Sequence, residues 1–244
     1  MEYTVLCGSI DTEITTLVYD SRKVEKGSAF VCISGTVRDA HDFIPEVVEK
    51  GAAVVIVEKN VELLPGVTYI KVDNSRKALA YLSAAYFGYP AEHIKTIGIT
   101  GTKGKTTTTY MVKSILDGAG IKTGLIGTIE TIIGDEHIPS ANTTPESFIV
   151  QKYFRKMVDA GLDAVVMEVS SQALMLDRVA GFVFDIGVFT NLEPDHIGEN
   201  EHKDFADYMH CKSLLFQQCN IGIFNGDSKH LDGILKGHTC KVLT

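Results

Sequence analysis

Residues 96–109 read Thr-Ile-Gly-Ile-Thr-Gly-Thr-Lys-Gly-Lys-Thr-Thr-Thr-Thr. Ile97 and Ile99 predict a short buried strand. It breaks into a turn at Gly101 and Gly104, and a helical pattern opens at Lys105-Thr106. Strand, glycine loop and helix in that order predict a phosphate-binding loop, the alternative being a glycine-rich turn with a stray lysine. Glycines let successive backbone N–H groups face an anion, and the helix N-terminus adds a favourable dipole. Lys105 is placed to reach the β- and γ-phosphates of a nucleotide, and the Thr106 hydroxyl to sit on Mg²⁺. The spacing departs from the common loop, which has a glycine five residues before Gly104 where this chain has Ile99. The match is to a shorter loop, Gly101-Thr102-Lys103-Gly104-Lys105-Thr106.

The chain around this loop is an ordinary folded protein of 244 residues, 45% apolar and 22% charged. That length accommodates one large domain or two ordinary ones. The formal charge of −8 argues against a general nucleic-acid or membrane-surface binder. An acidic protein must hold anionic phosphates with a local set of backbone amides and a few cations. The five cysteines are scattered without a C-x-x-C pair, which points to free thiols in a reducing cytosol. The N-terminus has no signal-peptide pattern and no apolar run reaches membrane-spanning length, so a cytoplasmic protein without membrane insertion is expected.

Residues 1–90 predict a small α/β unit. Strand-like pieces fall at 16–19, 29–33, 52–57 and 69–72. Asp42 is placed to cap a helix with Phe43, Ile44, Val47 and Val48 on one face, stopped by Gly51. Asn74 caps a second helix with Ala78, Leu79, Leu82, Ala85 and Tyr86 on one side, ended by Gly88-Tyr89-Pro90. Residues 91–244 alternate helical and strand patterns. The helix after Lys105 turns Met111, Ile115 and Leu116 inward, strands follow at 122–127, 164–169, 185–190 and 221–225, and a helix with Phe148, Phe154, Met157 and Val158 stops at Gly161. A polar stretch runs to Pro145. The alternation predicts an α/β fold: a small first unit, then a mostly parallel sheet with helices on both faces.

Ligands in such sheets collect at the carboxyl ends of strands. Glu168 ends one strand, and a carboxylate there can hold Mg²⁺ beside the phosphate loop or simply be a solvated strand-end acid. Asn191 ends another and is followed by Asp195-His196, whose imidazole can be a metal ligand or merely structural. Asn142-Thr143-Thr144 is either the cap of the next helix or a polar wall of the pocket. Lys212, in a segment with Phe205, Tyr208, Leu215 and Phe216 as apolar positions, reads by spacing alone as a surface lysine.

Together these stretches resemble the Mur ligases, ATP-dependent amide-forming enzymes of peptidoglycan assembly, and most closely the MurE type. The resemblance rests on Asp20-Ser21-Arg22 with residues 27–30, the loop 101–107, Asn142-Thr143-Thr144, Met-Glu-Val-Ser-Ser-Gln at 167–172 and Arg178. It continues with Phe-Thr-Asn-Leu at 189–192, Asp195-His196 and Cys-Lys-Ser-Leu-Leu at 211–215. The resemblance implies a UDP-sugar-binding domain over 1–90 and a truncated central ATP-binding domain over 91–244, with the amino-acid-binding domain absent. It implies that Tyr19, Ser21, Thr36, Val37 and Arg38 hold the UDP end of UDP-N-acetylmuramoyl-dipeptide. Gly101, Thr102, Lys103, Gly104, Lys105, Thr106 and Thr107 would hold ATP, and Asn142, Thr143, Thr144, Ser170 and Arg178 would hold the muramoyl-peptide. It further implies Mg²⁺ on Thr106, Glu168, His196 and Lys212, the last as a CO₂-derived carbamate, with Lys105, His196 and Lys212 serving catalysis. The implied reaction adds an amino acid to UDP-MurNAc-L-Ala-D-Glu through an acyl phosphate, in a monomer. A fragment stopping at Thr244 is expected to bind substrate or nucleotide without completing ligation.

Lys103 departs from the family pattern, which mostly has asparagine there. Two other readings stand beside this one. The first is another Mur-like ligase, of a different Mur step or of the cyanophycin or folate type, although folate-type enzymes lack a unit like residues 20–30. The second is a non-catalytic nucleotide-binding protein on a Mur-like fold, since fold alone does not establish activity.

Overall fold

The computed structural model describes residues 2–35, 38–195, 197–198 and 201–244. The chain divides into two units, residues 1–86 and 87–244.

The first unit runs β1 (Tyr3–Cys7), β2 (Leu17–Val18), β3 (Ala29–Val31), α1 (Ile44–Glu49), β4 (Val54–Val57), β5 (Thr68–Val72) and α2 (Ser75–Tyr86). Its five-stranded sheet has the order β1-β5-β4-β3-β2, parallel except for β1. All four residues of β4 are buried, which suits a β-branched strand in the middle of a covered sheet. Phe30, Val55, Val57 and Tyr69 pack with Ile44 and Val47 of α1. That helix is entered differently from expectation. Asp39, not Asp42, supplies the capping carboxylate, accepting from the His41 N–H for a 3-10 turn over Ala40–Phe43 that leads into α1. Asn74 caps α2 through the Lys77 N–H, and Tyr86, expected on its apolar side, is exposed.

The second unit runs β6 (Lys95–Thr100), α3 (Lys105–Gly118), β7 (Thr123–Ile126), β8 (Glu130–Ile133), β9 (Glu136–Pro139), α4 (Ser147–Asp159), β10 (Ala164–Glu168) and α5 (Ser171–Met175). It continues with β11 (Phe184–Phe189), α6 (Phe205–Ser213), β12 (Cys219–Phe224), α7 (Leu231–Leu235) and β13 (Lys241–Leu243). The eight strands lie in the order β13-β12-β11-β6-β10-β7-β8-β9. All pair in parallel except β7–β8 and β8–β9. This antiparallel ribbon occupies what the sequence reading left as a polar stretch; Gly134, at φ 58, makes its turn.

Side chains alternate between the two faces of the sheet. Ile97, Ile99 and Val166 meet Val112 and Leu116 of α3 on one face. Val165, Met167, Phe184 and Phe189 join Val150, Phe154 and Met157 of α4 and Tyr208 of α6 in the other cluster. The inward face of α3 is therefore Thr109, Val112 and Leu116, while Met111 and Ile115 are exposed, contrary to expectation. A buried threonine on that face shifts the stripe by about one helical step relative to one drawn through apolar residues alone. At the amino edge of the sheet, the Asp185 carboxylate accepts from the Thr96 N–H at 2.9 Å and from Lys95 Nζ at 2.9 Å. The chain leaves β6 toward β7 on one side and builds β11 to β13 on the other. The carboxyl ends of β10, β6 and β11 therefore open side by side at the switch point.

Candidate functional site: a glycine loop and two lysines

The loop between β6 and α3 sits at that switch point. Gly101 has φ 156, and a Cβ on it would lie 2.0 Å from Thr190 Oγ1, so β11 and the loop touch where only glycine fits. Gly104, in the left-handed region at φ 80, is the residue before α3 and has nothing within 4 Å of a built Cβ. Asn191, just past β11, clamps the loop: its Oδ1 accepts from the Lys103 N–H and its Nδ2 donates to the Lys103 carbonyl, both at 2.9 Å. The Asn191 carbonyl in turn accepts from the Thr102 N–H at 3.0 Å. The Lys103 side chain is exposed and reaches Glu193 at 3.3 Å, a surface pair of small energetic weight.

Two ammonium groups enter the loop from behind. Lys105 Nζ donates to the carbonyls of Gly101 at 2.9 Å and Thr102 at 3.2 Å. Lys212 Nζ donates to the Gly101 carbonyl at 2.8 Å and stands 4.5 Å from the centre of the Tyr208 ring. Lys212 is 1% exposed, which reverses the surface reading made from its helix alone. Burial, reinforced by the Lys105 cation, pushes the Lys212 ammonium down to about 7. Burial also lowers Lys105, opposed by the carboxylates of Glu168 and Asp195.

Glu168 ends β10, buried at 1% exposure. Its carboxylate accepts from Thr106 Oγ1 at 3.0 Å, from the Thr128 N–H at 2.8 Å and from Thr128 Oγ1 at 3.1 Å. A buried carboxylate beside a helix-terminal hydroxyl is an all-oxygen donor set of the kind Mg²⁺ prefers. Thr107, in the same helical turn, is exposed. Thr144 Oγ1 donates to the Glu168 carbonyl at 2.9 Å and accepts from the Ser170 N–H at 3.1 Å, tying the 142–144 segment to the strand end. The cap of α4 is Glu146 and not this segment. Arg178 donates to the Thr144 carbonyl at 3.2 Å and lies 3.8 Å from Glu146.

Lys105, Asn142, Thr143, Thr144, Ser170 and Arg178 line one polar cavity of about 190 Å³, together with Ser171, Gln172, Glu201 and His202. In the first unit, Tyr19 and Ser21 follow β2, and Arg38, exposed, lies beyond β3. Both positions thus come after the carboxyl ends of paired parallel strands. The Ser21 carbonyl accepts from Lys50 Nζ. Thr36, Val37 and His196 lie outside the described residues.

Sequence reasoning did not find Thr128, Ser171 or His202. Thr128 follows the carboxyl end of β7, so the strand-end rule could have singled it out. Ser171 and His202 are 31 positions apart, and nothing local in the sequence joins them. Among the described residues, His202, Asp207 and Cys211 bring ligand atoms within 4.8 Å of one another. Burial pushes the Cys211 thiol up to about 11, which makes it a poor donor to a metal, and the imidazole is already hydrogen-bonded at both nitrogens.

The sequence and the fold were compared with known proteins. Residues 13–87 match the profile described as Mur ligase family, catalytic domain, and residues 99–244 the Mur ligase middle domain. The chain is 48% identical over 236 residues to UDP-N-acetylmuramoyl-L-alanyl-D-glutamate--2,6-diaminopimelate ligase 1 of Clostridium acetobutylicum, covering 97% of this chain and 48% of that protein. It is 51% identical over 215 residues to the ligase of the same description from Bacillus velezensis, covering 88% of this chain and 43% of that one. A solved structure of a UDP-N-acetylmuramoyl-L-alanyl-D-glutamate--2,6-diaminopimelate ligase superposes with a TM-score of 0.82 at 23% identity, over 97% of this chain and 50% of that one. The chain thus spans about half the length of the curated relatives it matches. With the middle-domain profile alone running over more than half of its residues, the chain belongs to the Mur ligase family.

Proposed function

We propose that this chain supplies the nucleotide- and UDP-sugar-binding part of a MurE-type ligase, which joins an amino acid to UDP-N-acetylmuramoyl-L-Ala-D-Glu at the expense of ATP. The observation that carries the reading is the single polar cavity in which Lys105 of the phosphate loop meets Asn142, Thr144, Ser170 and Arg178. A phosphate donor and an anionic acceptor need such a juxtaposition. Relatives described as ligases adding 2,6-diaminopimelate to this dipeptide precursor support the substrate assignment.

In this reading residues 1–90 take the UDP end, through Tyr19, Ser21, Thr36, Val37 and Arg38. Residues 91–244 hold ATP on Gly101–Thr107. The D-glutamate carboxylate attacks the γ-phosphate, ADP leaves, and the resulting acyl phosphate is attacked by the amine of the incoming amino acid. The loop amides and Lys105 neutralise the transferring phosphoryl group, and Arg178 with Asn142 and Thr143 orients the carboxylate. Thr106, Glu168, His196 and Lys212 would hold Mg²⁺, which supplies charge neutralisation between phosphate oxygens. Lys212 serves that role as its carbamate. Carbamate formation needs a neutral amine, and burial beside Lys105 favours that form. The carbamate nitrogen keeps one N–H, enough to retain the bond to the Gly101 carbonyl.

Calorimetry of this chain with a non-hydrolysable ATP analogue plus Mg²⁺, and separately with UDP-N-acetylmuramoyl-L-Ala-D-Glu, tests the reading. Binding of both is expected. Binding of neither would overturn it, and binding of nucleotide alone would remove the substrate assignment.

A further inference from the structure

We propose that Ser171, His202 and Asp207 form a proton relay that accepts the amine's proton in the amide-forming step. The proposal rests on the ligase reading above and adds to it the group that acts as base.

The three residues are joined in sequence through their side chains. Asp207 Oδ2 lies 3.2 Å from His202 Nδ1, and His202 Nε2 lies 2.8 Å from Ser171 Oγ. A carboxylate only accepts, so Nδ1 carries the ring proton and Nε2 is left as the accepting nitrogen. The Ser171 hydroxyl then donates to Nε2 and leaves its oxygen lone pairs toward the cavity it lines. His202 is 1% exposed and Ser171 4%, so the pair is fixed by packing rather than by solvent. The Tyr208 ring, 5.1 Å away between centroids, covers the imidazole, and the Cys211 thiol completes its surroundings.

The chemistry of the step calls for such a group. When a neutral amine attacks the acyl phosphate, a C–N bond forms, the C–O bond to phosphate breaks, and phosphate leaves with the electron pair. The nitrogen then holds one proton too many. Of the other side chains lining the cavity, Lys105 and Arg178 are hydrogen-bond donors to backbone carbonyls, and Glu201 is exposed to solvent instead of held in a buried chain. Through the relay, the amine proton passes to Ser171 Oγ as the hydroxyl's own proton moves to His202 Nε2. The Asp207 carboxylate, bonded to Nδ1, stabilises the imidazolium, which later returns its proton through Ser171 Oγ to the cavity. Ser171 is the group that meets the reactants; His202 and Asp207 are positioning residues acting through it.

The test uses a ligase of full family length carrying this chain, and separates the two half-reactions. Acyl-phosphate formation is read as ATP- and substrate-dependent hydroxamate with hydroxylamine, a weakly basic nucleophile that needs little help from a base. Amide formation is read with the amino acid. His202→Gln and Ser171→Ala are expected to lower amide formation roughly 10²-fold, the low end for removal of a general base. Asp207→Asn should lower it about tenfold by permitting the wrong tautomer, and in all three amide formation should fall further than hydroxamate yield. Equal losses in both half-reactions would mark a structural role and overturn the relay, as would unchanged amide formation. Absence of hydroxamate from the unsubstituted enzyme would instead overturn the ligase reading.

Discussion

Lys105 and Lys212 donate to one and the same acceptor, the Gly101 carbonyl oxygen, at 2.9 and 2.8 Å. Two lysine nitrogens on one oxygen, one of them 1% exposed, disfavour carrying two positive charges at once.

Stability should therefore depend on pH in a direction unusual for lysine. The folded-state value for Lys212, about 7, lies below that of an unfolded lysine near 10.4. Between those values the unfolded chain binds more protons, so stability rises with pH across that window. Lys212→Met in CO₂-free buffer should exceed the parent by about 4 kcal/mol near pH 6.5, the gap closing toward pH 10. Urea midpoints of both proteins across pH check this; a gap that stays constant would refute the buried-ammonium account.

Removing Lys105 should separate binding from folding. The side chain is half-buried and its bonds go to loop carbonyls, so Lys105→Ala should fold. Its affinity for a Mg²⁺–ATP analogue should fall at least about tenfold, because a charge-assisted contact to phosphate is lost. Unchanged affinity by calorimetry would remove the phosphate-loop assignment.

Glu168 offers a conservative and a disruptive change. Glu168→Gln keeps an acceptor for the Thr128 N–H and places its amide against the hydroxyls of Thr106 and Thr128, so stability should change by less than about 1 kcal/mol. Glu168→Ala leaves those donors without their acceptor and should cost about 1–3 kcal/mol. Both should abolish the dependence of nucleotide binding on Mg²⁺, measured by titrating the metal at fixed nucleotide.

The two loop glycines should respond differently to alanine. At Gly101 the added carbon meets Thr190 Oγ1 at 2.0 Å and Asn191 backbone at 3.2 Å, so the loop must part from β11. Gly101→Ala should lose about 1–3 kcal/mol and most nucleotide affinity. At Gly104 the space is open and the cost is the left-handed backbone alone, about 1 kcal/mol. Thermal melts and analogue binding of the pair distinguish steric from backbone effects.

What the sequence made legible was whatever its local spacing encodes. Glycine and Lys-Thr spacing marked the loop, and continuous β-branched runs marked the covered strands β4 and β10. The strand-end rule drew attention to Glu168 and Asn191. Facing and distance were harder. The inward stripe of α3 passes through Thr109, so counting apolar residues selected Met111 and Ile115, which are exposed. Lys212 reads as a surface residue on its own helix because the oxygen that receives it is 111 positions away. The same holds for Ser171 and His202, whose pairing exists only once β10 and the segment before α6 are brought together. Family resemblance supplied a role for Lys212 that spacing could not, and it had none to offer for His202.

The Asp185 carboxylate grips Lys95 and Thr96 at the amino edge of the sheet, at the opposite end of the strands from the glycine loop that begins at Gly101. Yet β11 carries Asp185 at one end and, past the other, delivers Thr190 and Asn191 to the loop, while β6 carries Thr96 and delivers Gly101. That clip works like the zero mark of a ruler. A slip of one residue there would withdraw Asn191 from Lys103 and turn alternate side chains of both strands to the wrong face. The alignment of the loop is thus metered from the far side of the sheet, and lesions at Asp185 should appear first as a misaligned glycine loop.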